Sequence, residues 1–301
     1  MGREDVLKLR TGERSRIVGF IRGYAYDSDP ICIFVSGGLD SDVTARLCSE
    51  AVGAARVRLV FVVQDGMEDR FRKNARRLSD DLNAPLDEID MRGLNDSLIQ
   101  AAEKGNPALF SSKSLLDPNR AKCSLRTALI SCYQDKGYLI AGASNRTETE
   151  LGFFLPFGDN LAHFKPIAHL YKTQVVQLAK ELGCRAEVID QPPSAGFWEG
   201  QEDLTDLAYW IINRAPIMGA GRRFSEEEDR LAESIAARIT QRSVDTALWS
   251  IAKGRSIRET ADISGLDAEY AGALMDIVSF AKKSKNRPLL RSLPAEGTSG
   301  A

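Results

Sequence analysis

Two rhythms of apolar residues alternate along the first half of this chain. Ile31, Cys32, Ile33, Phe34 and Val35 form an unbroken β-compatible run. Val57 to Val63, Leu86 to Ile89 and Tyr138 to Gly142 form three more. Helix-spaced stretches separate them: Val43, Leu47 and Val52 after the first run, Asp69 to Leu82 after the second, then Asn95 to Lys104 and Arg120 to Gln134. Strands that alternate with helices predict an α/β fold, a doubly wound parallel sheet with right-handed crossovers. Residues 1–28 read as an amphipathic helix carrying Ile17, Val18, Phe20 and Ile21, and Gly105 to Pro118 reads as an irregular connection. Beyond residue 215 the pattern is helical only, with Glu226 to Thr240 and Val244 to Ala252. This divides the chain into an α/β domain over 1–215, a helical C-terminal extension over 216–290 packed on that domain or on a second subunit, and a flexible tail over 291–301.

The first strand delivers Ser36-Gly37-Gly38-Leu39-Asp40-Ser41 to a helix start. Free N–H groups and the positive end of a helix dipole converge there, which makes an anion site. Glycines let the backbone approach a phosphate closely, and the two serines add hydroxyl donors. Asp40 suits such a site when a metal ion bridges it to the phosphates. Gly-Gly alone would read as a tight turn; the ordered set after a buried strand is more specific.

Composition narrows the class. A net charge of −2 and a pI near 5.9 argue against general nucleic-acid or membrane-surface binding. Five cysteines (Cys32, Cys48, Cys123, Cys132, Cys184) without a Cys-x-x-Cys pair suggest reduced thiols in a cytoplasmic protein. His163 and His169 are the only histidines, which argues against a histidine metal site or a Ser-His-Asp triad. Ser256-Ile257-Arg258-Glu259-Thr260-Ala261 followed by Gly265-Leu266 imitates a DNA-reading helix-turn-helix, but Asp267, Glu269 and Asp276 stand where a basic recognition helix is needed.

The Ser36–Ser41 loop resembles the pyrophosphate loop of the N-type ATP pyrophosphatases, without the Gly-Lys-Ser/Thr of a Walker loop. Further motifs follow in register: Gly142 to Glu148, Gly152 to Asp159, Pro166-Ile167, Tyr171-Lys172-Thr173-Gln174-Val175 and Pro193 to Asp203. Over roughly residues 10–215 the chain is similar to the ammonia-dependent NAD synthetase family, which lacks a glutaminase domain. That resemblance implies a Rossmann-like sheet of the ATP pyrophosphatase type, with ATP and Mg2+ as cofactors. It implies a ligase that adenylates a carboxylate, releases pyrophosphate and transfers ammonia to the acyl adenylate, most simply converting deamido-NAD to NAD. It assigns Ser36, Gly37, Gly38, Leu39, Asp40, Ser41, Glu148 and Lys172 to ATP and Asp40 and Glu148 to the metal; the loop residues themselves offer Glu148 and Asp159 as the carboxylates to pair with Asp40 around magnesium. Asp40, Lys172 and Ser194 take catalytic roles. Asn145, Phe157, Asp159, His163, Lys165, Ser194, Trp198 and Lys285 face the acceptor. It further implies a homodimer with Lys285 or Arg287 contributed in trans, ammonia drawn from solution or a separate glutaminase, and no nucleic acid or membrane partner.

Departures fall on the acceptor side. The family threonines are Ala143 and Leu155, the aspartate before Pro-Ile is His163, and Asp203 is followed by Leu204 instead of glutamate. The Ala-Arg-x-Arg run becomes Ala121-Lys122-Cys123-Ser124. Two alternatives therefore stay open: a related ligase that amidates another carboxylate, and a non-catalytic nucleotide-binding regulator.

Overall fold

Four parallel strands form one sheet in the computed structural model of the chain, which describes residues 5–26, 28–110, 118–155, 158, 160–196, 199–216 and 224–284. They are β1 (Ile31–Phe34), β2 (Val57–Val63), β3 (Leu86–Asp90) and β4 (Leu139–Ala141), in the order β3-β2-β1-β4. Helices α1 (Glu13–Tyr24), α2 (Leu39–Val52), α3 (Asp69–Leu82), α4 (Leu94–Gly105) and α5 (Pro118–Asp135) accompany the sheet. There follow α6 (Arg146–Leu151), α7 (Lys172–Glu181), α8 (Ala186–Ile189) and α9 (Asp203–Asn213). The final helices are α10 (Glu226–Ala236), α11 (Gln241–Ala252), α12 (Ile257–Ser264) and α13 (Ala268–Ser284). The α/β, doubly wound reading holds.

Side chains alternate across a strand, so each strand feeds two cores. Ile31, Ile33, Leu59 and Phe61 meet α1, α2, α3 and α7 on one face, while Cys32, Val60, Val62 and Ile140 meet Ile130 of α5 on the other. Register is Ile31 opposite Val57 on one side and opposite Leu139 on the other. Strand order therefore reverses between β1 and β4. A crevice opens at the carboxyl ends of strands flanking such a switch point, and the Ser36–Ser41 loop leaves β1 there.

A third core is helical. It joins Leu207, Ala208 and Ile211 of α9 to Ile235, Leu248, Leu274 and Ile277, and it reaches back to Leu151 and Tyr171 beside the sheet. The inner face of α13 is thus spent on packing, with Ala271, Ala273, Leu274 and Ile277 buried. Among the described residues no helix is long and apolar enough to cross a membrane. The expected tail over 291–301 lies outside the described residues.

Several boundaries differ from the sequence reading, among them the end of α10 at Ala236 and the start of α11 at Gln241. The expected helix over residues 1–28 is confined to Glu13–Tyr24, because Gly12 adopts φ 78° and sets off an extended strap before it. Along the strap Leu7 enters the helical core and Leu9 the first sheet core. Gln177 of α7 fastens it, accepting from the Leu9 N–H at 2.9 Å and donating to the Leu7 carbonyl at 2.8 Å. Helix α5 starts two residues earlier than expected, at Pro118, whose missing N–H costs nothing in a first turn.

An ion network seats α2. Arg46 donates to Asp42 at 2.6 Å and to Asp81 of α3 at 2.8 Å, and Arg185, just before α8, donates to Asp81 at 3.0 Å. The Arg185 and Arg46 guanidinium groups, opposed by some burial, hold the Asp81 carboxyl below its ordinary value. A depressed folded value stabilises above the unfolded value, about 3.9, and the gain disappears as pH falls through the folded value. Asp81→Asn is expected to lower the denaturation midpoint at pH 7, and the gap to wild type should narrow progressively as a pH series of urea melts is carried down through the carboxylate range.

Gly37 has φ 77°, and a Cβ there would run into the Phe71 backbone carbonyl. Both the backbone conformation and the contact exclude a side chain. Gly37→Ala should cost about 2–4 kcal/mol in denaturant titration, from left-handed strain plus overpacking.

Candidate active site

The Ser36–Ser41 loop is cross-braced by its own hydrogen bonds. The Val35 N–H donates to the Val60 carbonyl at 2.8 Å, extending β1 into the turn. The Ser36 N–H donates to Ser41 Oγ at 3.1 Å, Ser41 Oγ donates to the Gly38 carbonyl at 3.0 Å, and the Gly38 N–H donates to Ser36 Oγ at 3.2 Å. Asn74 of α3 donates to the Gly37 carbonyl at 3.1 Å. With Gly38 as N-cap, Leu39, Asp40 and Ser41 make the first turn of α2 and direct its N–H groups outward.

Opposite the loop stand two more helix starts. Asn145 caps α6: its Oδ1 accepts the Glu148 N–H at 3.0 Å, and its own N–H donates to Glu148 Oε2 at 3.3 Å. This capping box fixes the Glu148 carboxylate. Lys172 opens α7, and its Nζ is ion-paired with Asp40 Oδ2. Asn145 Nδ2 donates to the other Asp40 oxygen at 3.3 Å. Asp40, Asn145, Glu148 and Lys172, far apart in the sequence, thus converge.

Electrostatics agree with the geometry. Burial first, and then the charge of Asp40, push the Glu148 carboxyl well above its ordinary value against the pull of Lys172. Burial alone would lower Lys172; Asp40 and Glu148 outweigh it, and the ammonium is stabilised. Asp203, at the start of α9, is raised to about 6 by burial, with Lys172 opposing and Asp206 and Asp40 adding. Three carboxyl groups therefore share one cation. A cleft opens beside them, with Asn145, Glu148, Lys172 and Asp203 on its polar side. Leu151, Phe153, Leu204 and Leu207 form its apolar wall, and Gln241 and Val244 of α11 close one end.

That donor set fits a magnesium ion. A hard divalent cation takes one or two protein carboxylates and completes its shell with phosphate oxygens and water. Asp40 and Glu148 supply two such groups with an excess of negative charge around them. Among the described residues no cluster of three or more His, Cys, Asp or Glu has metal-holding geometry.

The other expected site residues are placed as follows. Ser194 lies next to Pro193 on the cleft rim, its Oγ accepting the Gly196 N–H at 3.0 Å. Lys165 packs along Gly142 at the end of β4 and donates to Asn160. His163 is exposed and outside the cleft lining; its Nδ1 accepts the Ile140 N–H at 2.9 Å, at the edge of the sheet. Phe157, Asp159, Trp198 and Lys285 lie outside the described residues. Asp203 was visible in the sequence only as the end of a motif, and Gln241 and Val244 carried no motif at all.

Comparison with known proteins follows the same lines. The sequence pattern of the NAD synthase family matches residues 14–256. The NH(3)-dependent NAD(+) synthetase of Finegoldia magna is 33% identical over 176 residues, covering 58% of this chain and 69% of that protein. That of Methanoregula boonei is 35% identical over 199 residues, covering 64% and 77%. Among solved structures, the NMN synthetase of Francisella tularensis superposes with a TM-score of 0.68 at 22% identity, covering 94% of this chain and 98% of that one. The NH3-dependent NAD synthetase of Campylobacter jejuni gives 0.62 at 21% identity, covering 93% and 98%. These two similarities speak to fold. The phosphate loop, the facing Glu148 and Lys172, and a sequence match across most of its length together show that the chain belongs to the NAD synthase family.

Proposed function

We propose that this chain is an ammonia-dependent NAD synthetase, a ligase that amidates deamido-NAD at the expense of ATP. The observation that carries the reading is the convergence of Lys172, Glu148 and Asn145 on Asp40 at the mouth of the phosphate loop. Positioning and charge stabilisation do the catalytic work. A carboxylate oxygen of deamido-NAD attacks the α-phosphorus; the bond from that phosphorus to the bridging oxygen breaks, and pyrophosphate leaves. The first-turn N–H groups of α2, with the Ser36 and Ser41 hydroxyls, hold the leaving group. Lys172 moves its ammonium from Asp40 towards the phosphates as charge accumulates there. Ammonia then attacks the acyl carbonyl, AMP departs, and the nitrogen loses a proton to give the amide. Magnesium, held by Asp40 and Glu148, supplies charge neutralisation to the triphosphate when bound. Acceptor binding by Ser194, Lys165, Phe157 and Asp159, and a homodimer with Lys285 contributed in trans, rest on the family resemblance.

The test is a product balance. Protein, ATP, magnesium, ammonium and deamido-NAD should yield AMP, pyrophosphate and NAD in equal amounts. Nicotinate mononucleotide, the carboxylate-bearing half of the acceptor, serves as comparator. AMP formed with the half molecule but not with deamido-NAD would overturn the choice of substrate.

Asp40→Asn should lower AMP formation by at least about 100-fold while the far-ultraviolet spectrum stays that of the wild type. An active Asp40→Asn enzyme would remove Asp40 from the phosphate and metal roles.

A further inference from the structure

The helical unit after residue 224 contributes more to the cleft than a wall. Asp245 of α11 is fully buried, and the donors around its carboxylate are all uncharged. Oδ1 accepts from Thr147 Oγ1 at 2.6 Å and from Gln241 Nε2 at 3.0 Å. Oδ2 accepts from the Thr173 N–H at 2.7 Å and from Thr173 Oγ1 at 2.6 Å. Burying a carboxylate is costly unless hydrogen bonds and dipoles replace its water. Here the replacement comes from two places that matter to the cleft.

The first is the N-terminus of α7. Its N-cap is Tyr171, not one of the residue types that cap a helix well. Asp245 reaches in from another helix, takes the Thr173 N–H and sets a negative charge at the positive end of the α7 dipole. The second is α6, through Thr147, the residue before Glu148. Thr147 Oγ1 donates to Asp245 and also accepts the Lys172 N–H at 2.9 Å. One carboxylate thus ties together the opening turns of α6 and α7. Those turns carry the two side chains that face the phosphate loop.

We propose that Asp245 is a positioning residue for ATP cleavage, acting through Thr147 and Thr173 to hold Glu148 and Lys172 against the phosphate loop. It rests on the reading above that Glu148 and Lys172 handle the phosphates of ATP. It also gives the helical extension a function: α11 is part of the nucleotide site and α12–α13 are its buttress. Asparagine keeps the shape but not the charge: with its oxygen on the two Thr173 donors, its amide nitrogen needs Thr147 Oγ1 to accept and the Gln241 amide to turn, which removes the anion from the α7 N-terminus and rewires the Thr147 relay. Displacements of about an ångström near reacting groups cost up to ~100-fold in rate.

The experiment measures ATP–magnesium binding by calorimetry, and kcat and KM with deamido-NAD and ammonium, for Asp245→Asn, Thr147→Val, Thr147→Ser and the core control Leu274→Ala. Asp245→Asn and Thr147→Val should each weaken ATP binding about tenfold and lower kcat by about 10- to 100-fold, with the KM for ammonium within about twofold of wild type. Thr147→Ser, which keeps the hydroxyl relay, should recover most of what Thr147→Val loses. Leu274→Ala should lower the melting temperature without this split, when assayed well below its melting point. Should Asp245→Asn fail to fold, the Thr147 pair decides. Asp245→Asn or Thr147→Val protein that melts early yet binds ATP and turns over like wild type would confine the network to stability and overturn the inference. Because ATP binding is measured without the acceptor, a wild type that binds ATP but makes no NAD counts against the proposed function alone, and the binding of the variants still decides the role of Asp245.

Discussion

One cation set among three carboxyl groups is the constraint to which the rest of the molecule answers. Lys172 is almost wholly buried, and its ammonium lies on Asp40, with Glu148 and Asp203 close enough to shift one another. Such a group is tolerable only if its members arrive from rigid directions, because a buried charge that drifts from its partner loses several kcal/mol. Each member stands near a helix start: Asp40 in the first turn of α2, Glu148 in that of α6, Lys172 opening α7 and Asp203 opening α9. The excess of negative charge is a poor arrangement for a resting protein. It suits the loading proposed above, in which magnesium would bring positive charge to Asp40 and Glu148.

The cores can be read as supports for those helix starts. The sheet sets α2 through the β1–α2 loop, and the Arg46–Asp81–Arg185 network fixes α2 against α3 and the segment after α7. The helical core holds α9 directly and reaches α6 and α7 through Leu151 and Tyr171. Neither layer builds the site alone. The apolar wall at Phe153 is braced in the same way, its ring stacked on Trp210 at 3.9 Å.

Much of this was legible in the sequence where the signal is local. The strand runs, the glycine loop and the lysine at the head of α7 are each written in a few consecutive residues, and the order of the motifs placed Glu148 with them. Asp245 was not legible, because its partners Thr147 and Thr173 are 98 and 72 residues away and α11 reads as an ordinary amphipathic helix. Nor was the start of α1, since apolar spacing continues through Leu7 and Leu9 while Gly12 turns the chain aside. His163 looked like a substituted acceptor residue from its place in a motif. Its ring instead serves the sheet edge, a backbone need that no side-chain pattern announces.

The strap over residues 5–9 has a kinetic meaning. Leu7 and Leu9 sit in different cores, Gln177 holds the strap across 168 residues, and Asp5 accepts from Arg242 of α11 across 237. Contacts of that span carry the largest loop-closure entropy and form late. A strap that docks on both units closes only when both are in place, since Leu9 needs the sheet core and Leu7 the helical one. Closing the strap and seating Lys172 then belong to one cooperative unit, because α7 carries both Gln177, which holds the strap, and Lys172, which faces Asp40.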